Sequence, residues 1–321
     1  TSLTNLDSST AAAKGEVRFI THVPTPEPVK ALYMTACVAA TPSWRGSLKT
    51  LIDTTELNAV VIDIKDYSGT VSFPNSFPKG AYRKGCVVSD LEHFVMELHD
   101  SGIYVIGRIS VFQDPSYTSL FPELAIKSQS GNTWKDFKGL SFIDVGARPY
   151  WDYIVEISKF AYEMGFDELN FDYVRYPSDG NMADANYTWM SASSTRASTL
   201  ESFFSYLHES LKDTGVKTSV DLFGMTTTAT NDMGIGQVLE SALPYFDYIA
   251  PMVYPSHYPP MWHGFANPAE HPYEVVKITM SRALERERAL NAIMGLSTST
   301  PSKLRPWLQD FNLGATYGPD T

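Results

Sequence analysis

Apolar runs of strand length alternate along the chain with amphipathic stretches of helical length. Ala31–Ala39 (ALYMTACVA) reads as a strand, Ser47–Leu57 as a helix and Asn58–Asp66 (NAVVIDIKD) as a near-continuous apolar strand of the kind covered on both faces. Ser89-Asp90-Leu91-Glu92 has the form of a capping box, and Leu91, Phe94, Val95 and Leu98 follow at helical spacing until Gly102 stops the helix. The third strand is Ile103–Phe112, the next helix Pro149–Met164 and the fourth strand Glu168–Tyr176 (ELNFDYVRY). A second box, Ser198 to Glu201, opens a helix that closes at Gly215. Thr218–Gly224 is the fifth strand, Ile235–Leu243 a short helix, Tyr248–Tyr254 the sixth strand, Glu274–Asn291 a long helix and Leu304–Phe311 the seventh strand. Strand and helix alternate throughout, which predicts a parallel sheet with crossover helices.

The connections are lopsided. Gly102, Gly165 and Gly215 lead almost directly from helix into strand, whereas Gln113–Arg148 and Pro177–Ala197 are long strand-to-helix loops. Long loops after strands and short ones before them predict a (β/α)8 TIM-like barrel that works at the C-terminal ends of its strands. The rival, a doubly wound sheet, calls for a Gly-rich phosphate loop after the first strand, where the chain reads ACVAATPSWRG. Only seven strands are readable, so the eighth β/α unit is expected to be missing and the chain truncated at its C-terminus. Residues 1–30 are expected to be a leader or linker: their start is polar, Pro24, Pro26 and Pro28 break helix and central strand, and only Val17–His22 offers a short extra strand. Residues 31–321 then form a single barrel domain.

Composition narrows the function. The chain has 321 residues, 43% hydrophobic, with 25 Lys and Arg against 36 Asp and Glu, a net charge of −11. That acidity argues against nucleic acid, whose phosphates need a basic face. No apolar run is long enough to span a membrane, and a signal peptide, if there was one, is expected to have been removed from this chain. Cys37 and Cys86 exclude a disulfide scaffold and a four-thiolate zinc site; two free thiols is the plainer expectation, one disulfide the alternative. The seven histidines include no His-x-His pair, so no metal and no cofactor is expected, although a carboxylate-only Mg²⁺ or Ca²⁺ site at Asp63, Asp66 and Asp172 fits the same residues. Oligomeric state is not readable.

Polar residues at strand ends are the catalytic candidates. Asp63, Lys65 and Asp66 end the second strand, Glu168, Asn170, Asp172 and Arg175 lie along the fourth, Asp221 in the fifth and Asp310 in the seventh. Alternation puts Glu168, Asn170 and Asp172 on one face, and Asp63 and Lys65 on another shared face. Buried carboxylates are costly unless paired or used, and cleavage of a glycosidic bond uses two. Asp172 and Asp221, on adjacent strands, are the leading pair, with Glu168 and Asp66 as further candidates. Lys65, Arg108 and Arg175 either neutralise these acids or make a local basic patch for an anionic polymer. Tyr254, His257, Trp262 and Trp307 are candidate sugar-contacting rings, with Trp44, Trp134 and His263 as weaker ones.

Five blocks in order, NAVVIDIKDYSG from Asn58, GIYVIGRISVF from Gly102, GFDELNFDYVRYP from Gly165, IAPMVYPSHY from Ile249 and LRPWLQDF from Leu304, resemble a bacterial family described as a putative glycosyl hydrolase domain. The segment FDYVRYP, Phe171–Pro177, also resembles a block of wider glycoside-hydrolase-like barrels. The resemblance implies a TIM barrel, a carbohydrate substrate and a secreted or cell-envelope location, with Asp172 the leading catalytic carboxylate and Asp221, Asp66 and Glu168 nearby. Such proteins continue past the tryptophan block into a final strand and helix. The expected function is hydrolysis of a polysaccharide; a non-catalytic glycan-binding barrel and a metal-assisted hydrolase are the alternatives.

Overall fold

The computed structural model describes residues 21–73, 85–297 and 299–318. Among them, seven strands form one parallel sheet in chain order: β1 (Ala31–Met34), β2 (Ala59–Lys65), β3 (Tyr104–Ser110), β4 (Glu168–Asp172), β5 (Lys217–Phe223), β6 (Tyr248–Val253) and β7 (Trp307–Leu308). The sheet curls into a half-barrel, an incomplete TIM-like barrel. The curl brings its outermost strands together: the rings of Tyr33 in β1 and Trp307 in β7 meet edge-on with centroids 6.0 Å apart. A cavity of about 820 Å³ lies along the gap between these two strands.

The principal helices are α1 (Pro42–Thr54), α2 (Leu91–Asp100), α3 (Arg148–Glu163), α4 (Arg196–Leu211), α5 (Leu239–Ala242) and α6 (Pro272–Ile293). Alternation along β2 explains how both sheet faces are buried. Val60, Ile62 and Ile64 join the helix-side core with Phe94, Leu98 and Ile157, while Ala59 and Val61 join Tyr104 and Ile106 in a smaller cluster that Trp307 packs against. Gly102 and Gly165 end their helices at φ of 71° and 104°, a left-handed turn that lets the next strand begin at once.

Several local expectations are corrected. The first strand stops at Met34 because Thr35 caps a short helix, Ala36–Ala39, accepting the Val38 amide. Asp90 stands at the N-cap of α2 with no side-chain cap bond; its carboxylate is committed to Arg45. The box of α4 is one turn early: Thr195 caps and Ser198 answers from N3. Ile235–Leu243 shrinks to α5 because Gly234 and Gly236 both take positive φ. Only Trp307 and Leu308 of the seventh run pair as a strand, since Pro306 has no amide to give. Of the proposed strand at Val17–His22, residues 17–20 lie outside the described residues, and Thr21 and His22 are in no strand.

The two long loops fold onto each other. Lys127–Ser128 pairs antiparallel with Ala185–Asn186, and Trp134 is buried between them with Ile126 and Phe142, donating to the Asn181 carbonyl at 3.0 Å. Trp134 is therefore loop core, not a cleft ring. Cys37 and Cys86 are joined in a disulfide with Cα atoms 4.9 Å apart, so the two-thiol expectation is wrong. The bridge ties the helix after β1 to the segment entering α2 across 49 residues. Cross-linking a loop of that size is worth about 4 kcal/mol in the chain-entropy account. Replacing both cysteines with alanine should therefore lower the unfolding free energy by about 2–4 kcal/mol in denaturant titrations, and reductant should have no further effect on the variant.

Candidate active site

The inner face of β3 carries Arg108, and the sheet register brings acids to it from three other strands. Arg108 pairs in register with Asp63 of β2 and Asn170 of β4, and Ser110 pairs with Asp172. Its Nη1 donates to Asp63 Oδ1 at 2.7 Å, Nη2 donates to Asp172 Oδ2, and Nε lies 4.0 Å from Asp221 Oδ2. The guanidinium side chain is 15% exposed and the carboxylates 4%, 9% and 1%. Burial opposes the charge on Arg108, but Asp172 and Asp63 outweigh it and hold its pKa well above the usual value.

The three carboxylates differ in their remaining partners. Asp63 accepts the Tyr33 hydroxyl at 2.6 Å, and burial raises its pKa against the pull of Arg108. Asp172 Oδ1 accepts the Tyr173 amide at 2.5 Å; Tyr173 sits at φ 52°, a left-handed conformation held where β4 ends. Asp221 Oδ1 accepts two donors, Asn170 Nδ2 and Trp307 Nε1, each at 2.8 Å. Burial, and then the negative charge of Asp172, push the Asp221 carboxyl up to about 8, although Arg108, Asn170 and Trp307 pull the other way. The two N–H donors are both on Oδ1, and Oδ2 accepts no hydrogen bond from the described residues.

A cavity of about 440 Å³ opens over this cluster, with Arg108, Asp172 and Asp221 in its wall beside Tyr33, Tyr173, Arg175, Tyr254, His257 and Trp307. The cavity brings together the strand-end candidates Asp172, Asp221, Arg108 and Arg175 with the candidate rings Tyr254, His257 and Trp307; Asp63 is bound to Arg108 and Asn170 to Asp221. Tyr33 and Tyr173 were missed. Tyr33 had a readable signal, an aromatic hydroxyl in an otherwise apolar first strand; Tyr173 had none, because its place depends on the strained turn after Asp172.

Other candidates fall elsewhere. Glu168, Asn170 and Asp172 do share the inner face, but Glu168 is four residues from Asp172, ~13 Å along the strand. It is bound to Arg305 and to the Tyr104 hydroxyl, at 3.1 Å, at the other end of the interior. Asp66 closes a turn, its Oδ1 accepting the Ser68 amide at 2.8 Å, the Ser68 hydroxyl at 2.6 Å and the Thr70 amide at 3.2 Å. Lys65 does not share a face with Asp63, because the β2–β3 register shifts between them. Instead it is fully buried, 2.9 Å from Asp114 and donating to the Ser110 carbonyl at 2.6 Å. Trp262 packs on Tyr258 and His263, Asp310 is exposed beside the β1–β7 gap, and Trp44 is exposed on α1. Asp63 and Asp172 converge on Arg108 while Asp66 faces its turn, and among the described residues no group of three His, Cys, Asp or Glu side chains is arranged to hold a metal ion. No helix among them is long and apolar enough to cross a membrane.

The sequence model of a family described as "Putative glycosyl hydrolase domain" matches residues 31–321, and the chain belongs to that family. A hypothetical protein from Ruminiclostridium thermocellum ATCC 27405 has a solved structure that is 31% identical with a TM-score of 0.54, the match covering 64% of this chain and 98% of that one. The glycoside hydrolase domain of PgaB (BpsB) from Bordetella bronchiseptica matches with a TM-score of 0.58 at 12% identity, over 88% of this chain and 94% of that one; at that identity the likeness is one of fold. A search of curated proteins returns no match.

Replacing Arg108 with glutamine leaves three buried carboxylates without their cation. The unfolding free energy is expected to fall by about 3–5 kcal/mol at pH 8. The loss should be smaller at pH 5, because the raised Asp63 and Asp221 carboxyls are nearer to taking up protons there, so folding buries less uncompensated charge. Denaturant titrations at the two pH values check this, and equal losses would show that Arg108 acts through packing.

Proposed function

We propose, from membership of this glycosyl hydrolase family, that the chain cleaves the glycosidic bonds of a polysaccharide with Asp172 and Asp221. The observation that carries the reading is the contrast between the two acids over one cavity. Asp221 is raised to about 8 and so holds a proton at neutral pH, on the oxygen left free by Asn170 and Trp307. That is the state required of a general acid that protonates the leaving oxygen. Asp172 is ion-paired to Arg108 and supplies the second carboxylate, as nucleophile or as base to a water, as the two-carboxylate mechanism requires. Neighbouring parallel strands lie ~4.8 Å apart, a spacing that supports a pair of carboxyls flanking one bond.

The remaining wall suits a sugar. The rings of Tyr33, Tyr254 and Trp307 offer apolar faces for ring C–H groups, with polar atoms alongside for hydroxyls. A second groove of about 380 Å³ shares Tyr173 and Arg175 with the cavity, giving room for more than one ring and so favouring a polymer. The Cys37–Cys86 disulfide supports a secreted or cell-envelope setting, because such bonds persist in oxidising compartments.

One observation favours the alternative of a glycan-binding barrel. Both Asp172 oxygens are already engaged, by Arg108 and by the Tyr173 amide. That reading predicts saturable sugar binding with no turnover.

Reducing-end release from a panel of bacterial and plant polysaccharides decides between them. Asp172→Asn and Asp221→Asn are each expected to reduce release by about 10²–10⁴-fold, while circular dichroism stays native. Undiminished turnover in either variant would remove that residue from the mechanism.

The pH profile is a separate check. A general acid works only while protonated, so kcat/KM should decline above about pH 8, following Asp221. The same raised carboxyl makes its contribution to stability fall as pH rises from about 4 toward 8, because across that window the folded state keeps a proton that the unfolded chain releases. Activity undiminished at pH 9.5 would exclude Asp221 as the acid.

A further inference from the structure

Three basic side chains stand near the ends of the central strands, and two of them are spent within the protein. Lys65 is paired with Asp114, and Arg108 is shared among Asp63, Asp172 and Asp221. Arg175 is different. Among the described residues it has no carboxylate at ion-pairing distance, and its one hydrogen bond runs from Nη1 to the Tyr176 carbonyl at 3.1 Å. The Nε and Nη2 edge of the guanidinium has no protein partner there.

This edge is nevertheless held in place. The guanidinium lies over the ring of Tyr173 at 5.2 Å and that of Phe223 at 4.8 Å, contacts that orient a cation without neutralising it. The acids that act on it from a distance are Asp172, Asp136 and Asp179. Asp172 is bound to Arg108 and the Tyr173 amide. Asp136 accepts the Lys138 and Leu140 amides of its own turn at 2.9 and 2.8 Å, and Asp179 is exposed. Burial weighs more than all three and draws the Arg175 pKa down, so the protein leaves this charge under-compensated. Arginine remains charged regardless. A fixed, unpaired guanidinium in a cavity wall recovers its desolvation cost when an anion arrives.

We propose that Arg175 forms an anion-recognising subsite and that the substrate is an acidic glycan, with a carboxylate on the sugar bound at or next to the cleavage point. The proposal rests on the glycoside hydrolase reading for the identity of the cavity. Arg175 lines both the cavity containing Asp172 and Asp221 and the adjoining groove, where Lys138 stands beside the acids Asp136 and Asp179; with acids on both sides, the anion is met by the free edge of Arg175 at their junction. The paired N–H groups of the Nε and Nη2 edge match the two oxygens of a carboxylate. The overall charge of −11 works against distant attraction of a polyanion, so selection falls to this local contact.

The test compares charged and neutral partners of the same shape. D-Glucuronate, D-galacturonate and N-acetylmuramate are titrated beside D-glucose, D-galactose and N-acetylglucosamine, and polygalacturonate beside its methyl ester. Wild-type protein is expected to bind each acid about tenfold or more tighter than its neutral counterpart, as a charged hydrogen bond allows. Arg175→Gln should erase that preference, and Arg175→Lys should restore part of it. Equal affinity for acid and neutral forms, binding of neither by folded protein, or an undiminished preference in Arg175→Gln would each overturn the proposal. If Arg175→Gln does not fold, the wild-type comparison and Arg175→Lys decide it. An Arg175-dependent preference without any turnover would count against the hydrolase reading alone; turnover of neutral glycans without such a preference would count against this one alone.

Discussion

The interior of the half-barrel is organised around one guanidinium. Arg108 joins carboxylates from β2 and β4 directly and stands 4.0 Å from a third on β5. One positive charge cannot satisfy three acids buried this deeply. The shortage falls on Asp221, the least exposed of them, whose hydrogen bonds come from the neutral donors Asn170 and Trp307. Its proton is the least costly way to remove the excess charge. The proposed general acid is thus a consequence of how the cation is shared: a second arginine in the cluster would ionise Asp221 and remove the proton that makes it useful.

The interior is layered along β4. Glu168 meets Arg305 and Tyr104 at one end, Asn170 bridges Ser219 and Asp221 in the middle, and Asp172 meets Arg108 at the other. The layers are buried but not fully paired: Asn170 Oδ1 and Arg305 Nη1 have no hydrogen-bond partner among the described residues, and both residues line the cavity at the β1–β7 gap. Asn170 has no charge to give, yet its amide spans the layers and donates to Asp221 Oδ1. The lowest layer pairs its acid with Arg305, whereas the uppermost divides one cation and leaves Arg175, a few residues further along the chain, without an ion-pair partner among the described residues at the rim.

Much of this was legible in the sequence, for physical reasons that also mark where it stopped. β2 and β3 read clearly because they are buried on both faces and so largely apolar. The period-two alternation of Glu168, Asn170 and Asp172 gave their common face. Lys65 was misplaced because a one-residue register shift after Asp63 turns its side chain away, and alternation cannot reveal a bulge. Asp66 and Glu168 resembled Asp172 in type and setting. Their partners, the Ser68–Thr70 turn and an arginine 137 residues distant, are set by the fold. The box from Ser89 to Glu92 failed because the helix begins one residue later, with Asp90 at the N-cap and its carboxylate held by Arg45. The disulfide was undecidable because 49 residues of separation say nothing about whether two thiols meet.

The site also depends on strands that carry none of its acids. β1 and β7 are the edges of the sheet, and each sends one ring inward: the Tyr33 hydroxyl donates to Asp63 and the Trp307 indole to Asp221. Those two rings touch each other. The acids on β2 and β5 are therefore oriented from opposite edges; Tyr33 reaches Asp63 from the neighbouring strand, whereas Trp307, two strands from Asp221, reaches it only when the sheet curls. An uncurled sheet with the same pairings would keep Arg108 beside Asp63 and Asp172, because those contacts follow from neighbouring strands. It would lose the Trp307 bond, and with it one of the two donors on Asp221 Oδ1. The curl of the sheet in this way decides whether a donor from β7 reaches the carboxyl group on β5.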